Sequence, residues 1–218
     1  MLDYKPKISD PYHIWYENNR IWNSTNFLGV QCLKFPCDIF LMQEMIYKLQ
    51  PDFIVETGTA YGGSSLFFAS ILEIIGNGHI LTVDIHNKLE INNWSLPIQR
   101  LFDKHVTFIL GSSIAPEVVE NIFDIVKNKT CLVLLDSWHT KEHVLAELNI
   151  YYKLIQPNYY IIAEDTHVSG HPVPWPWGEG PMEAVEEFLK VHSNFKSDSY
   201  YERLDFTFNP NGWLKRVE

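Results

Sequence analysis

The chain has 218 residues, 46% of them hydrophobic, and a formal net charge of -10. That length and apolar content fit one globular domain with a full core, and the acidic balance, with no stripe of Lys and Arg, excludes the counterion-displacing surface that a nucleic-acid partner requires. No apolar stretch approaches the roughly 18 residues that span a bilayer, and Met1 to Pro6 lacks the basic-then-apolar order of a signal peptide, so a cytoplasmic protein without membrane contact is expected.

Residues 1–37 read as an irregular, aromatic-rich arm (Tyr12, Trp15, Tyr16, Trp22, Phe27), too apolar for a disordered tail and expected to pack on its own domain or on a neighbouring subunit. From Asp38, residues 38–218 read as the main domain. Ile39, Phe40, Met42, Met45, Ile46 and Leu49 recur at helical spacing up to Gln50-Pro51, where proline ends the helix. Apolar runs then alternate with helical patterns. The strand runs are Phe53 to Glu56, Ile80 to Asp84, Val106 to Leu110, Cys131 to Asp136 and Tyr159 to Ala163. This alternation predicts an α/β fold with a mostly parallel sheet covered on both faces. At the carboxyl end, Tyr200 to Phe208 and Trp213 to Val217 flank Asn209-Pro210-Asn211-Gly212, which predicts an antiparallel hairpin with its tip at that turn. The three cysteines (Cys32, Cys37, Cys131) cannot all pair, so reduced thiols are expected.

The acids at the strand ends carry the chemistry. Asp136, in Leu135-Asp136-Ser137-Trp138-His139, and the pair Glu164-Asp165 fall at the edge where parallel α/β sheets bind ligands. Three carboxylates brought together there lose hydration and repel, so a cation or proton donor must join them, and a hard divalent ion such as Mg²⁺ is the simplest candidate. Asp136 or Asp165 alone could equally cap the helix that follows it. Adjacent Glu164 and Asp165 fit capping less well, because neighbouring strand residues point to opposite faces. After the first strand, Glu56-Thr57-Gly58-Thr59-Ala60-Tyr61-Gly62-Gly63-Ser64 offers a glycine turn and a helix amino terminus to an anionic group. Asp84, ending the second strand, is placed to accept hydrogen bonds from a ribose, and Ala60 stands where a dinucleotide site would need its second glycine.

These motifs, together with Gly111-Ser112-Ser113, Gly180-Pro181 before a helix and Asn209-Pro210-Asn211-Gly212-Trp213-Leu214, resemble the class I S-adenosylmethionine-dependent methyltransferases. More narrowly, they resemble the group of cephalosporin hydroxylase-like and rhamnosyl O-methyltransferase-like proteins, from about Asp38 to the carboxyl terminus. The resemblance implies a Rossmann-like, seven-stranded sheet whose last strand is antiparallel. It implies S-adenosylmethionine held by Glu56, Gly58, Thr59, Gly62, Ser64, Asp84, Ser112, Ser113 and Asp136. Macrolide-sugar O-methyltransferases of similar arrangement imply a metal on Asp136, Glu164 and Asp165, with Asp136 and His139 catalytic and His139 as general base. The acceptor implied is a hydroxyl of a saccharide or glycosylated small molecule, and the assembly implied is a homo-oligomer.

His167, Trp175 and Trp177 are the candidate substrate contacts. His167 has an ordinary loop role as its alternative, and the two tryptophans have packing as theirs. Two other functions compete: an oxidative hydroxylase, and a non-catalytic cofactor-binding subunit. An iron and 2-oxoglutarate oxygenase needs a His-x-Asp/Glu pair that this sequence lacks.

Overall fold

The computed structural model describes residues 7–174, 176 and 178–218. In chain order the arm supplies α1 (Asp10–Asn18), a 3₁₀ turn (Ile21–Ser24), and the two-residue strands β1 (Asn26–Phe27) and β2 (Val30–Gln31), which pair antiparallel. The main body follows as α2 (Pro36–Leu49), β3 (Phe53–Thr57), α3 (Gly63–Ile75), β4 (His79–Asp84), α4 (Leu96–His105), β5 (Val106–Leu110), α5 (Pro116–Ile125), β6 (Cys131–Leu135), α6 (Lys141–Tyr151), β7 (Tyr160–Ala163), α7 (Pro181–Val191), β8 (Phe195–Ser197) and β9 (Trp213–Arg216).

The seven main strands form one sheet in the order β5-β4-β3-β6-β7-β9-β8. The first five are mutually parallel, and β9 runs antiparallel between β7 and β8. Because strand side chains alternate between faces, the sheet feeds two cores. Ile54, Ile80, Leu132, Leu134 and Ile162 face α2 and α3 residues such as Leu41, Met42, Ile46, Leu66 and Leu72. Val55, Leu81, Val133, Leu135 and Ile161 face Val118, Ile122, Val144, Leu148, Val185 and Phe188 of α5, α6 and α7. Both faces are covered, so the parallel strands read as continuous apolar runs. Among the described residues no helix is long and apolar enough to cross a membrane.

Two expectations are corrected. The partner of β9 in the terminal hairpin is Phe195–Ser197, not Tyr200 to Phe208. Asp198 accepts the Tyr200 N–H at 3.1 Å and starts a 3₁₀ turn at Ser199–Glu202, while the Phe208 N–H goes to the Asp38 carboxylate at 2.8 Å, so side chains take the groups a ladder would need. The Asn209 to Gly212 turn therefore leads into β9 instead of forming the hairpin tip. The arm is likewise not irregular: α1 docks on its own chain through Tyr16, which packs with Phe35 and Phe208 in a third apolar cluster.

His13, on α1, is 2% exposed, lies edge-on to Phe35, Phe206 and Phe208, and its Nε2 has no hydrogen-bond partner. Burial, aided by His167, lowers its pKa from 6.5 to about 4. An unfolded chain therefore takes up a proton below 6.5 that the folded arm refuses until about 4, and stability falls as pH drops through that window. Replacing His13 with Phe should flatten this acid limb. Thermal melts of the two proteins between pH 7 and 4 check it, and parallel curves would exclude His13 as the source.

Candidate active site

The ends of β3, β4 and β6 form the floor of a cleft whose larger lobe is about 450 Å³ and whose smaller lobe is about 270 Å³. Gly58, Asp84, Ile85, Ser137 and Trp138 line both lobes, which makes them one continuous groove. The turn out of β3 shapes it. Gly58 has φ +89°, and a Cβ there would lie 1.9 Å from the Asp136 carbonyl oxygen, so no other residue fits between β3 and β6. Glu56 is fully buried beneath this turn, where its carboxylate accepts hydroxyls from Ser64 at 2.5 Å, from Thr82 at 2.8 Å and from Ser65. These bonds tie the first turn of α3 to β3 and β4. Asp84 accepts the Ala60 N–H and the His86 N–H, each at 2.9 Å, which fixes the loop above it.

At the other end of the larger lobe stand the acids. The Lys34 ammonium reaches in from the arm to 2.6 Å from Asp136 Oδ2 and 2.6 Å from Glu164 Oε1. His139 Nε2 lies 3.3 Å from Asp165 Oδ2 and 3.8 Å from Asp136 Oδ1. Asp165 holds a left-handed backbone (φ +55°) and donates its N–H to Asn209 Oδ1 at 2.9 Å, while its carboxylate lies between His139 and His167. Burial alone would lower the Lys34 pKa, but the charges of Asp136, Glu164 and Glu56 hold it well above the ordinary lysine value. Burial raises Asp136 to about 6 against the pull of Lys34. Perturbed titratable groups converging in a cleft mark a functional site.

The smaller lobe is lined by Ser112, Ser113 and His143. His143 Nε2 sits 3.0 Å from Ser137 Oγ and 3.3 Å from Ser113 Oγ, and the Ser137 hydroxyl donates to the buried Glu147 carboxylate at 2.7 Å. Tyr151 donates to the Ser113 carbonyl at 2.6 Å, so α6 holds this lobe rigid from below.

Of the residues expected from sequence, Gly58, Thr59, Ser64, Asp84, Asp136, His139 and Asp165 line the larger lobe, and Ser112 and Ser113 the smaller. Glu56, Gly62 and Glu164 lie behind the lining and support it. His167, expected against substrate, is 1% exposed: it stacks on Phe208, its Nδ1 lies 3.0 Å from the Phe208 carbonyl, and its Nε2 lies 3.2 Å from Glu17. It braces the arm from beneath the cleft. Trp175 and Trp177 lie outside the described residues. Sequence reasoning missed the arm's own contribution, namely Glu17, Trp22, Gln31, Leu33 and Lys34. The signal for Lys34 was a lone charge inside Val30-Gln31-Cys32-Leu33-Lys34-Phe35-Pro36.

A sheet of this order with its ligand groove over the parallel strand ends is the architecture of the class I methyltransferases. The family profile Rhamnosyl O-methyltransferase/CmcI matches residues 19–217. The rhamnosyl O-methyltransferase of Mycobacterium leprae is 36% identical over 222 residues, spanning 98% of this chain and 93% of that protein. The rhamnosyl O-methyltransferase of Mycobacterium tuberculosis is 35% identical over 223 residues, spanning 99% and 88%. A solved structure of CmcI with Mg and SAM shares the fold at a TM-score of 0.67 and 18% identity, covering 90% of this chain and 78% of that one. The chain belongs to the rhamnosyl O-methyltransferase/CmcI family of S-adenosylmethionine-dependent O-methyltransferases.

Replacing Gly58 with Ala should lower stability by about 3 kcal/mol or more, since it combines a left-handed backbone with a backbone clash. The same change should abolish S-adenosylhomocysteine binding. Thermal denaturation and calorimetric titration check both, and a variant that binds normally would show that β3 and β6 can separate without loss of the groove.

Proposed function

We propose that this O-methyltransferase acts on a hydroxyl of a saccharide or glycosylated small molecule, with a divalent cation at the acid end of the cleft. The observation that carries the proposal is the convergence of Asp136, His139 and Asp165, whose donor atoms lie within 4.8 Å of one another at the cleft wall. Opposite ligands of one small cation stand about 4 Å apart, and two carboxylates are a donor pair that suits it, so Asp136 and Asp165 fit the group with His139 beside them as the base. Oxygen donors favour Mg²⁺ among the available ions. Names and whole-chain alignment of the mycobacterial relatives support the saccharide acceptor.

S-Adenosylmethionine supplies an electrophilic sulfonium methyl group. A cation held by Asp136 and Asp165 would supply Lewis acidity that lowers the pKa of an acceptor hydroxyl. The protein's own residues do the rest. Asp84 stands ready to accept ribose hydroxyls, and Ser112 and Ser113 border the lobe assigned to adenine. The turn that Glu56 ties down presents the amino terminus of α3 to the cofactor's polar end. His139 acts as the general base, and the carboxylates of Asp165 and Asp136, 3.3 and 3.8 Å from its Nε2, stabilise the ring once it carries the acceptor's proton. Tyr61 and Trp22, both on the cleft wall, give an apolar face on which a sugar can stack.

Replacing His139 with Ala should cut turnover by about 10²- to 10⁴-fold while S-adenosylhomocysteine affinity stays near wild type, as measured by methyl-transfer assay and calorimetry. Chelation of divalent ions should suppress methylation across a panel of rhamnosides and other glycosides. Full turnover without His139 would remove it as the base. Cofactor binding with no methylation of any glycoside would remove the acceptor class.

A further inference from the structure

Lys34 divides the acid cluster into two halves. The inner half is Glu164 with Asp136 Oδ2, both held 2.6 Å from the ammonium; the Lys34 and Glu164 side chains are 4% and 5% exposed. The outer half is Asp136 Oδ1, Asp165 and His139, which face the cleft. Glu164 does not line that cleft and is not among the residues whose donor atoms cluster there. An ammonium with three N–H donors can satisfy two carboxylates at once, and expelling it would leave a buried, uncompensated charge.

We infer that Lys34 is a positioning residue of the methyl-transfer site: its ammonium takes the place of a metal ion at Glu164. It thereby keeps Glu164 out of the cation-binding set and pins Asp136 by one oxygen so that the other serves the set with Asp165, beside His139. The inference rests on the metal proposal above only for the ion that fills the outer half. It differs from the set implied by resemblance, Asp136 with Glu164 and Asp165, in making Glu164 the counter-ion of a lysine instead of a ligand. The arm is thereby part of the reaction centre, since Lys34 comes from the segment between β2 and α2.

The test titrates Mn²⁺, followed by its electron-spin signal, into the full-length wild type, Glu164→Gln and Lys34→Met, each with S-adenosylhomocysteine, alongside thermal melts with and without Mn²⁺. In Glu164→Gln the Mn²⁺ affinity should stay within about threefold of wild type, because that residue supports the ligands without being one. In Lys34→Met, Glu164 becomes free to bind, so affinity should rise by about tenfold or more, because it follows the number of charged ligands, and Mn²⁺ should restore the melting temperature that the substitution lowers. Loss of Mn²⁺ binding in Glu164→Gln overturns the inference and leaves the metal proposal standing. A lower melting temperature in Lys34→Met with unchanged Mn²⁺ affinity also overturns it, since Lys34 is then merely structural. Binding by Lys34→Met but not by wild type upholds the inference and removes the metal proposal. Binding by neither protein removes both. Where Lys34→Met does not fold, the Glu164→Gln titration decides alone.

Discussion

The bridge from Lys34 to Asp136 and Glu164 joins three pieces of chain: the arm, the end of β6 and the end of β7. Parallel strands place their carboxyl ends side by side, so acids at the tips of β6 and β7 are neighbours by topology. Without a cation they would repel in a region from which water is largely excluded. The lysine turns that liability into a fixed geometry. Buried pairs of this kind add little net stability over an apolar replacement, but removing one partner is costly, on the order of 3–5 kcal/mol. The bridge is therefore better understood as fixing the site than as holding up the fold, whose core lies elsewhere in the two apolar layers.

Glu56, fully buried beneath the cleft, is handled differently. Glu56 has three hydroxyl donors around its carboxylate, from Ser64, Ser65 and Thr82, and no ion pair among the described residues. Hydroxyls on β4 and on the first turn of α3 are thereby locked to β3, and the glycine turn between them has one shape available. Glu56 lies within ten residues of two of its partners, whereas Lys34 is 102 and 130 residues from its own. One end of the cleft is thus set by local chain geometry and the other by tertiary docking.

That difference also governs what could be read from sequence. The parallel strands were legible because each is an apolar run closed by an acid or a turn, and the meeting of Asp136, His139 and Asp165 follows from strand ends lying together. The role of Glu56 beneath the turn was not legible, since a sequence shows an acid before glycines but not the hydroxyls that satisfy it. Lys34 was hidden because its partners lie on distant strands. Tyr200 to Phe208 has strand-like composition, yet its backbone is claimed by Asp38 and Asp198, and such side-chain competition leaves no periodic trace. The arm was misjudged for a related reason: α1 carries no side-chain cap and is held by packing of Tyr16 and His13 against rings from Phe35 to Phe208.

Docking of the arm and completion of the cleft are consequently one event. Closing loops over such separations costs conformational entropy, which the buried contacts of the arm must offset. The arm brings more than Lys34. Glu17 reaches His167 and Trp22, and Trp22, Gln31 and Leu33 wall the groove above the glycine turn. A methyl-transfer centre needs water kept from the reacting oxygen and sulfur while the substrate enters and leaves. Here the β3, β4 and β6 ends supply a rigid floor, and the arm supplies a wall whose buried charge is satisfied by the acids it covers. Without Lys34 the two acids would face each other uncompensated, so the electrostatics that order the site also hold the arm against it.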